Sequence, residues 1–406
     1  MHAPEEGLEL REHVEQTFSA GDITKSTVRE LDSVYGVGHK YDFDDDDSSV
    51  VTLTPGAVVG VVRLTDGTVV RFAPKVPVAN VFAMWDMANG EGVKIDWSTY
   101  ADVDTVDLMY DALARQFTRR IRARTVRGLH RTYEQRHRRL AAVRGRIDLA
   151  ENIRRPWQAE LHCRYEEHEP DNLLNRPLLW ALYCIIRSAA LLSNETRATA
   201  ASVYRTLAGT VSLVEYRPSD YRGIHYTRLT QPYEPLHAMA RFFVEHAAPE
   251  LPGEARRKGI PFRVSMPELF ERFVAEWLRR NAPPAISVRT QWPIKLEHSY
   301  GRGGPVYSLR ADIVLVAAES YRRPFAVLDT KYKLGGRPDE SDINQVHTYA
   351  TQLGVTQAWL VYPEPLSDPL DITMQSAARI RSATFDIGDD LETAGRRFLA
   401  AIGVGE

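Results

Sequence analysis

The chain has 406 residues, 44% of them hydrophobic and 26% charged, with a formal net charge of −3. That is enough for two or three domains with real cores, and no apolar run approaches the roughly 20 residues of a membrane span. The opening MHAPEEGLELREHVEQ is acidic and polar rather than a secretory signal, and two cysteines, Cys163 and Cys184, make neither a disulfide framework nor a zinc site. The expectation is a cytoplasmic protein with two buried thiols.

Residues 1–105 read as mostly β. The run SSVVTLTPGAVVGVVRLTDGTVVRFAPKVPV alternates short Val-rich stretches with Pro-Gly and Asp-Gly turn signals. The acidic DFDDDDSS, Asp42 to Ser49, reads as a solvated loop.

Residues 106–250 read as helical. Leu108, Met109, Leu113, Phe117 and Ile121 recur close to a 3.6-residue period, and NLLNRPLLWALYCIIRSAALL and LHAMARFFVEHAA are two further apolar helices. Residues 115–146 hold twelve Arg and one Glu. Arg119, Arg120, Arg127, Arg138, Arg139, Arg144 and Arg146 are therefore candidates for binding nucleic acid or an acidic partner, with a solvated helix face as the plainer alternative.

The Pro-, Gly- and charge-rich stretch 248–261 reads as a linker, and residues 260–406 as a compact α/β domain. A helix opens at SMPELFERFVAEWLRR, with Ser265 near the cap and Pro267 in the first turn. Strand-like ISVRTQWPIKLEH, RADIVLV and PFAVLDTKYKL follow, then the helix ESDINQVHTYATQLG and the strand AWLVYP.

PFAVLDTKYKL carries the chemistry. Side chains two apart on a strand share a face, so Asp329 and Lys331 point the same way. Lysine is scarce here, 8 against 43 arginines, and two of the eight lie in DTKYK. If the polar ESYRRP segment is a hairpin centred between Ser320 and Tyr321, antiparallel partners sum to 641. Asp312 then faces Asp329, Val314 faces Val327 and Val316 faces Phe325, with about 5 Å between paired α-carbons. Opposed carboxylates repel unless a cation separates them, and Mg²⁺ takes one or two carboxylates plus water and phosphate. A surface ion network is the plainer reading. Asp339 and Asp342 read as capping charges of the next helix, outside the site.

These residues resemble the PD-(D/E)XK nucleases. Asp312 matches the first acid, although Ala311 stands where that pattern has Pro, and Asp329, Thr330 and Lys331 match D-X-K. The resemblance implies Mg²⁺ or Mn²⁺ held by Asp312, Asp329 and the Thr330 backbone carbonyl, with a helix glutamate completing the set: Glu271, or its rival Glu268. It also implies that Gln345 and Tyr349, four apart on one helix face, belong to the catalytic group. The ordered segments VVGVVRLTDGTVVRFAPKVPVANVFAMWDMA, RTVRGLHRTYEQRHRRLAAVRGRIDLAENI and CRYEEHEPDNLLNRPLLWALYCI are similar to the McrC family of McrBC restriction systems.

That resemblance implies an endonuclease for double-stranded, modified DNA that docks on and stimulates an McrB-like AAA+ GTPase through its N-terminal part. No G-x-x-x-x-G-K-[ST] occurs, and GRGGPVYS lacks the Lys, so no nucleotide site is expected in this chain. The expected fold is multidomain α+β: a β-rich N-terminal docking module, a helical Arg-rich middle and a C-terminal restriction-endonuclease-like domain. A free-standing defence or repair nuclease, and an adaptor with a degenerate nuclease fold, are the alternatives.

Overall fold

The computed structural model describes residues 7–19, 21–43, 49–89, 105–188, 191–246, 262–296, 307–317, 323–333 and 335–404. Most of the acidic run at 42–49, all of the expected linker, most of the GRGGPVYS segment and the tip of the expected hairpin lie outside these residues. The described residues form ten α-helices and sixteen strands in four sheets, an α+β architecture. The chain divides into two compact units, Met1–Met109 with Arg263–Glu406, and Tyr110–Phe262.

The first segment contributes β1 (Leu8–Arg11), β2 (Gln16–Ser19), α1 (Lys25–Tyr35), β3 (Gly38–Phe43), β4 (Ser49–Thr54), β5 (Val58–Arg63), β6 (Val69–Ala73) and α2 (Val78–Asn89). β2, β4 and β3 form an antiparallel sheet. β5 and β6 form the hairpin that Asp-Gly signalled: Leu64 N–H donates to Thr68 O at 2.8 Å and Gly67 takes a φ of 95°. Only glycine adopts that conformation freely. α1 was not anticipated. Its start is set by Thr24, whose side chain accepts from Thr27 N–H, and Gly36 ends it in the left-handed region.

The second unit takes most of α3 (Val106–Arg127), then β7 (Thr132–Leu140), β8 (Arg146–Ile147), α4 (Leu149–Arg154), β9 (Leu161–Glu169), α5 (Arg176–Arg187), α6 (Asn194–Ala208) and α7 (Glu234–His246). Met109, Leu113, Phe117 and Ile121 are buried as their period requires, but Leu108 is exposed and Tyr110 takes the inward position. Tyr110 and Phe117 each pack against Phe243 with ring centroids 5.3 Å apart. The expected all-helical middle contains a three-stranded antiparallel sheet, β7-β9-β8. TYEQRHRRL carries almost no apolar alternation, so the period-two signal is missing from the sequence. Cys163 and Cys184 are free and buried.

The last segment contributes β10 (Phe262–Ser265), α8 (Met266–Asn281), β11 (Ile286–Leu296), β12 (Tyr307–Ala317), β13 (Pro324–Thr330), α9 (Glu340–Leu353), β14 (Gln357–Tyr362), β15 (Asp371–Thr373), β16 (Arg379–Thr384) and α10 (Leu391–Ile402). β10 completes a sheet of order β1-β6-β5-β10, and Met266 N–H donates to Ala57 O at 3.0 Å. α2 packs on α8. The expected first and last domains thus share one sheet and one compact unit.

The six-stranded sheet runs β11-β12-β13-β14-β16-β15, antiparallel through β13, then parallel from β13 to β14 and β14 to β16. Val314, Val327, Leu360, Ile380, Val346 and Ala350 fill its core. Each fully buried Val, Leu or Ile contributes about 1.5–3 kcal/mol. α10 approaches closely through Gly395: a Cβ there would lie 2.0 Å from the Trp277 ring of α8.

Candidate nuclease site

β12 and β13 deliver the two acids. Ile313 pairs with Leu328, Val314 with Val327 and Leu315 with Ala326, all summing to 641. The expected pair of Val316 with Phe325 does not form. The register shifts after Leu315, and Val316 faces Pro324 instead. Proline has no N–H for the ladder and is tolerated at strand starts and bulges. At the other end, Asp312 is half-buried and its Oδ2 accepts from Thr330 N–H at 3.1 Å and Thr330 Oγ1 at 3.3 Å. The structure therefore brings Asp312 to the Asp329–Thr330 end of β13.

Asp329 is 1% exposed, and neither of its carboxylate oxygens accepts an aligned hydrogen bond. Lys331 Nζ lies 2.7 Å from Oδ2 as an ion pair. Burial first, and the Asp312 charge second, push the Asp329 carboxyl up to about 7; the Lys331 charge only partly offsets them. Lys331 is held by its backbone, whose N–H donates to Val361 O at 2.8 Å as β13 runs out beside β14. Burial alone would lower its ammonium pKa, but Asp329, Asp342 and Asp312 together raise it.

α9 crosses from β13 to β14 and supplies the rest. Gln345 Oε1 accepts from Lys331 Nζ at 2.9 Å, and Gln345 Nε2 donates to the Tyr349 hydroxyl at 2.7 Å. Burial raises the Tyr349 phenol. Four-residue spacing on a helix face is what lets one glutamine touch both.

From sequence Asp342 reads as a capping charge outside the site, yet it is 5% exposed and bridges two lysines. Lys331 Nζ is 3.5 Å from its Oδ1, and Lys333 Nζ is 2.6 Å from its Oδ2. Asp339 occupies the helix cap position, but its side chain makes no capping hydrogen bond and pairs with Lys333 at 2.5 Å. The signal for Asp342 was present: it precedes Gln345 by three and Tyr349 by seven, on the same helix face.

On α8, Glu271 is half-buried and Glu268 exposed. The Glu271 carboxyl is raised first by burial and then by the Asp312 charge, while Gln291 Nε2 donates to its Oε1 at 2.6 Å. Gln291 is a residue that sequence reasoning missed. Among the described residues no three His, Cys, Asp or Glu side chains converge as a ready-made metal cluster. The set present still suits a hard divalent cation, which takes one or two carboxylates and fills its shell with water and phosphate. Two acids meet at one strand end, and the buried one lacks an aligned donor.

The arginine candidates separate into two groups. Arg144 pairs with Glu167 at 3.0 Å, Arg139 donates to Glu160 O at 3.2 Å, and Arg120 lies against Met239 Sδ at 3.9 Å. Arg119, Arg127, Arg138 and Arg146 are exposed and have no polar partner among the described residues.

The family model described as McrBC 5-methylcytosine restriction system component matches residues 53–363, well over half of the chain. The chain belongs to this McrBC family. Its fold is similar to a chain in the refined half-complex from a tetradecameric assembly of Thermococcus gammatolerans McrB AAA+ hexamers with bound McrC. Identity is 19%, the match covers 97% of this chain and 99% of that one, and the TM-score is 0.62. A chain of the Thermococcus gammatolerans McrBC complex matches with 20% identity over 68% of this chain and 87% of that one, at a TM-score of 0.44. No curated protein matches the sequence. No helix among the described residues is long and apolar enough to cross a membrane.

Proposed function

We propose that this McrBC-family chain is the endonuclease subunit of a modification-dependent restriction system, hydrolysing phosphodiester bonds of double-stranded DNA beside an McrB-like AAA+ GTPase. The observation that carries the reading is Asp329: a carboxylate 1% exposed, without an aligned donor, beside Lys331 and at the strand end it shares with Asp312. Lys331 is its close cation, but an acid buried beside a second acid with no aligned donor still costs stability, and a bound divalent cation would offset that cost. The order α8, β11, β12, β13, α9, β14 agrees with a restriction-endonuclease-like core.

Asp312, Asp329 and the Thr330 backbone carbonyl would hold Mg²⁺ or Mn²⁺, with Glu271 as the helix acid. When bound, the cation supplies positive charge for the phosphodiester oxygens and a lowered pKa for the attacking water. The chain's own residues do the remaining work. Lys331 brings a compact ammonium that orients that water and offsets charge building on the phosphate. Gln345 fixes the Lys331 rotamer, and Tyr349 fixes Gln345. Asp329 first, and Asp342 after it, keep Lys331 protonated.

The test is cleavage of modified double-stranded DNA by the full chain with a AAA+ partner and Mg²⁺. Asp329→Ala should abolish it while the protein stays folded and still binds the partner. Full activity in that variant sinks the reading. Cleavage by the wild-type chain alone, without nucleotide, would favour a free-standing nuclease instead.

Docking on the GTPase has its own support. The β7–β9 module exposes Trp157 at 77%, Ile153 at 75% and Leu149 at 68%, and α4 buries no residue. Large apolar side chains clustered on a soluble surface mark interaction sites. Arg138 and Arg146, exposed and without a polar partner among the described residues, belong to the same module.

A further inference from the structure

One residue of β11 breaks the strand geometry. Gln291 has a φ of +50°, in the left-handed region, although it is not glycine. The ladder with β12 keeps one register on both sides of it: Thr290 pairs with Ile313, and Trp292 with Ala311. Gln291 therefore occupies the position opposite Asp312, the one pair missing between those two. Strain of this kind persists where surrounding structure over-determines it, and it concentrates at functional sites.

The side chain of Gln291 leads to α8. Its amide donates to Glu271 Oε1 at 2.6 Å, and the charge of Asp312 contributes to the raised pKa of Glu271. The glutamine thus sits at the register position of one acid and ties down a second. An amide is a neutral donor. It orients a carboxylate without cancelling its charge, whereas Lys or Arg there would take the place of a bound cation. Glu271 is not part of a closed three-acid cluster among the described residues, so what it adds depends on how it is held.

We propose that Gln291 is a positioning residue: by tethering Glu271 to the β11 position opposite Asp312 it raises the divalent-cation affinity of the site. This rests on the nuclease reading above. Gln291 touches neither DNA nor the cation; it acts through Glu271. Groups that orient a ligand from outside are worth about 10- to 100-fold in metal affinity.

The experiment is Mn²⁺ titration calorimetry on the full chain without DNA. Gln291→Gly accepts the left-handed conformation without strain, so its melting temperature should match or exceed wild type. Its Mn²⁺ affinity should fall about tenfold, as should that of Glu271→Gln. The double variant should lose no more than either single one, a result that a purely structural role does not produce. If Gln291→Gly unfolds, Gln291→Asn, which also tolerates this conformation, replaces it in the cycle. Unchanged Mn²⁺ affinity on losing the amide, or losses that add in the double variant, overturn the assignment of Gln291. Failure of the nuclease reading looks different: wild type binds no Mn²⁺, or Asp329→Asn binds it as wild type does, and the proposal falls with it.

Discussion

Tyr332 donates its hydroxyl to Glu12 Oε2 at 3.1 Å, joining residues 320 positions apart. Tyr332 follows Lys331 directly, so the N-terminal segment touches the chain one residue from the candidate site. Glu12 is 0% exposed, its Oε1 has no hydrogen-bond partner among the described residues, and burial pushes its carboxyl up to about 7.

That carboxyl makes stability depend on pH. The fold favours the protonated form, so its contribution is fully present below the ordinary value of 4.5 and is lost as pH rises through about 7. Glu12→Gln keeps an acceptor for Tyr332 and removes the charge. The variant should gain on wild type between pH 5 and pH 8, by at most about 3 kcal/mol. Thermal melts at several pH values measure the gap, and parallel curves would show that Glu12 is not its source.

Asp329 predicts a second pH dependence. Without a cation its carboxyl is raised, again favouring the proton in the fold, whereas a metal ligand must be ionised. Mn²⁺ affinity should rise about tenfold per pH unit below neutrality and level off above it. Asp329→Asn should abolish binding yet melt higher than metal-free wild type at pH 8, because a buried, opposed charge is gone. Calorimetry and melting on the same samples decide both.

Lys331 sits among Asp329, Asp342 and Gln345 and is largely buried, with 14% of its side chain exposed. Lys331→Arg puts a wider planar fork where a compact ammonium fits. Cleavage should drop about a hundredfold or more, while the oversized fork lowers the melting temperature by a few degrees and leaves the chain folded. Gln345→Ala should cost less, since it frees the ammonium without removing it. Equal losses in the two variants would assign Gln345 a direct role.

Much of this site was legible because it is local. Alternation on two apolar strands gave the 641 register, and a four-residue helix spacing paired Gln345 with Tyr349. What escaped was set by partners far away in sequence. Nothing in the tripeptide around Gln291 announces a left-handed residue. Asp342 reads as a capping charge until Lys331 and Lys333 arrive beside it. The pairing of β10 with β5 joins strands some two hundred residues apart, and β7 has hardly any apolar alternation to read.

That long-range pairing predicts how the chain tolerates cutting. A fragment of residues 260–406 loses β5, the partner of β10, and the α2 face that covers α8. Exposed strand edges and apolar helix faces aggregate. The fragment should be less soluble than the full chain and melt several degrees lower. Co-expression with residues 1–109 should restore it, and a soluble, cooperatively melting 260–406 fragment would contradict the shared unit.

The β7–β9 module gives the sharpest test of partner docking. Leu149 and Ile153 are four apart on one face of α4, and Trp157 follows, each more than two-thirds exposed. Side chains that bury so little in the fold contribute little to its stability, so Trp157→Ser with Ile153→Ser should leave the melting temperature within about a degree of wild type. Anchors of this kind, Trp above all, carry a disproportionate share of binding energy when they enter a partner's pocket, about 2 kcal/mol or more each. The double variant, losing two such anchors, should therefore bind an McrB-like AAA+ GTPase several hundredfold more weakly, about 4 kcal/mol, and stimulate its GTP hydrolysis correspondingly less. Mn²⁺ binding at Asp312 and Asp329 should not change. Arg138→Glu with Arg146→Glu separates apolar from electrostatic docking: it should slow association and lower its salt dependence while affecting dissociation little. Wild-type affinity in the Trp157 variant would move the docking surface elsewhere on the chain.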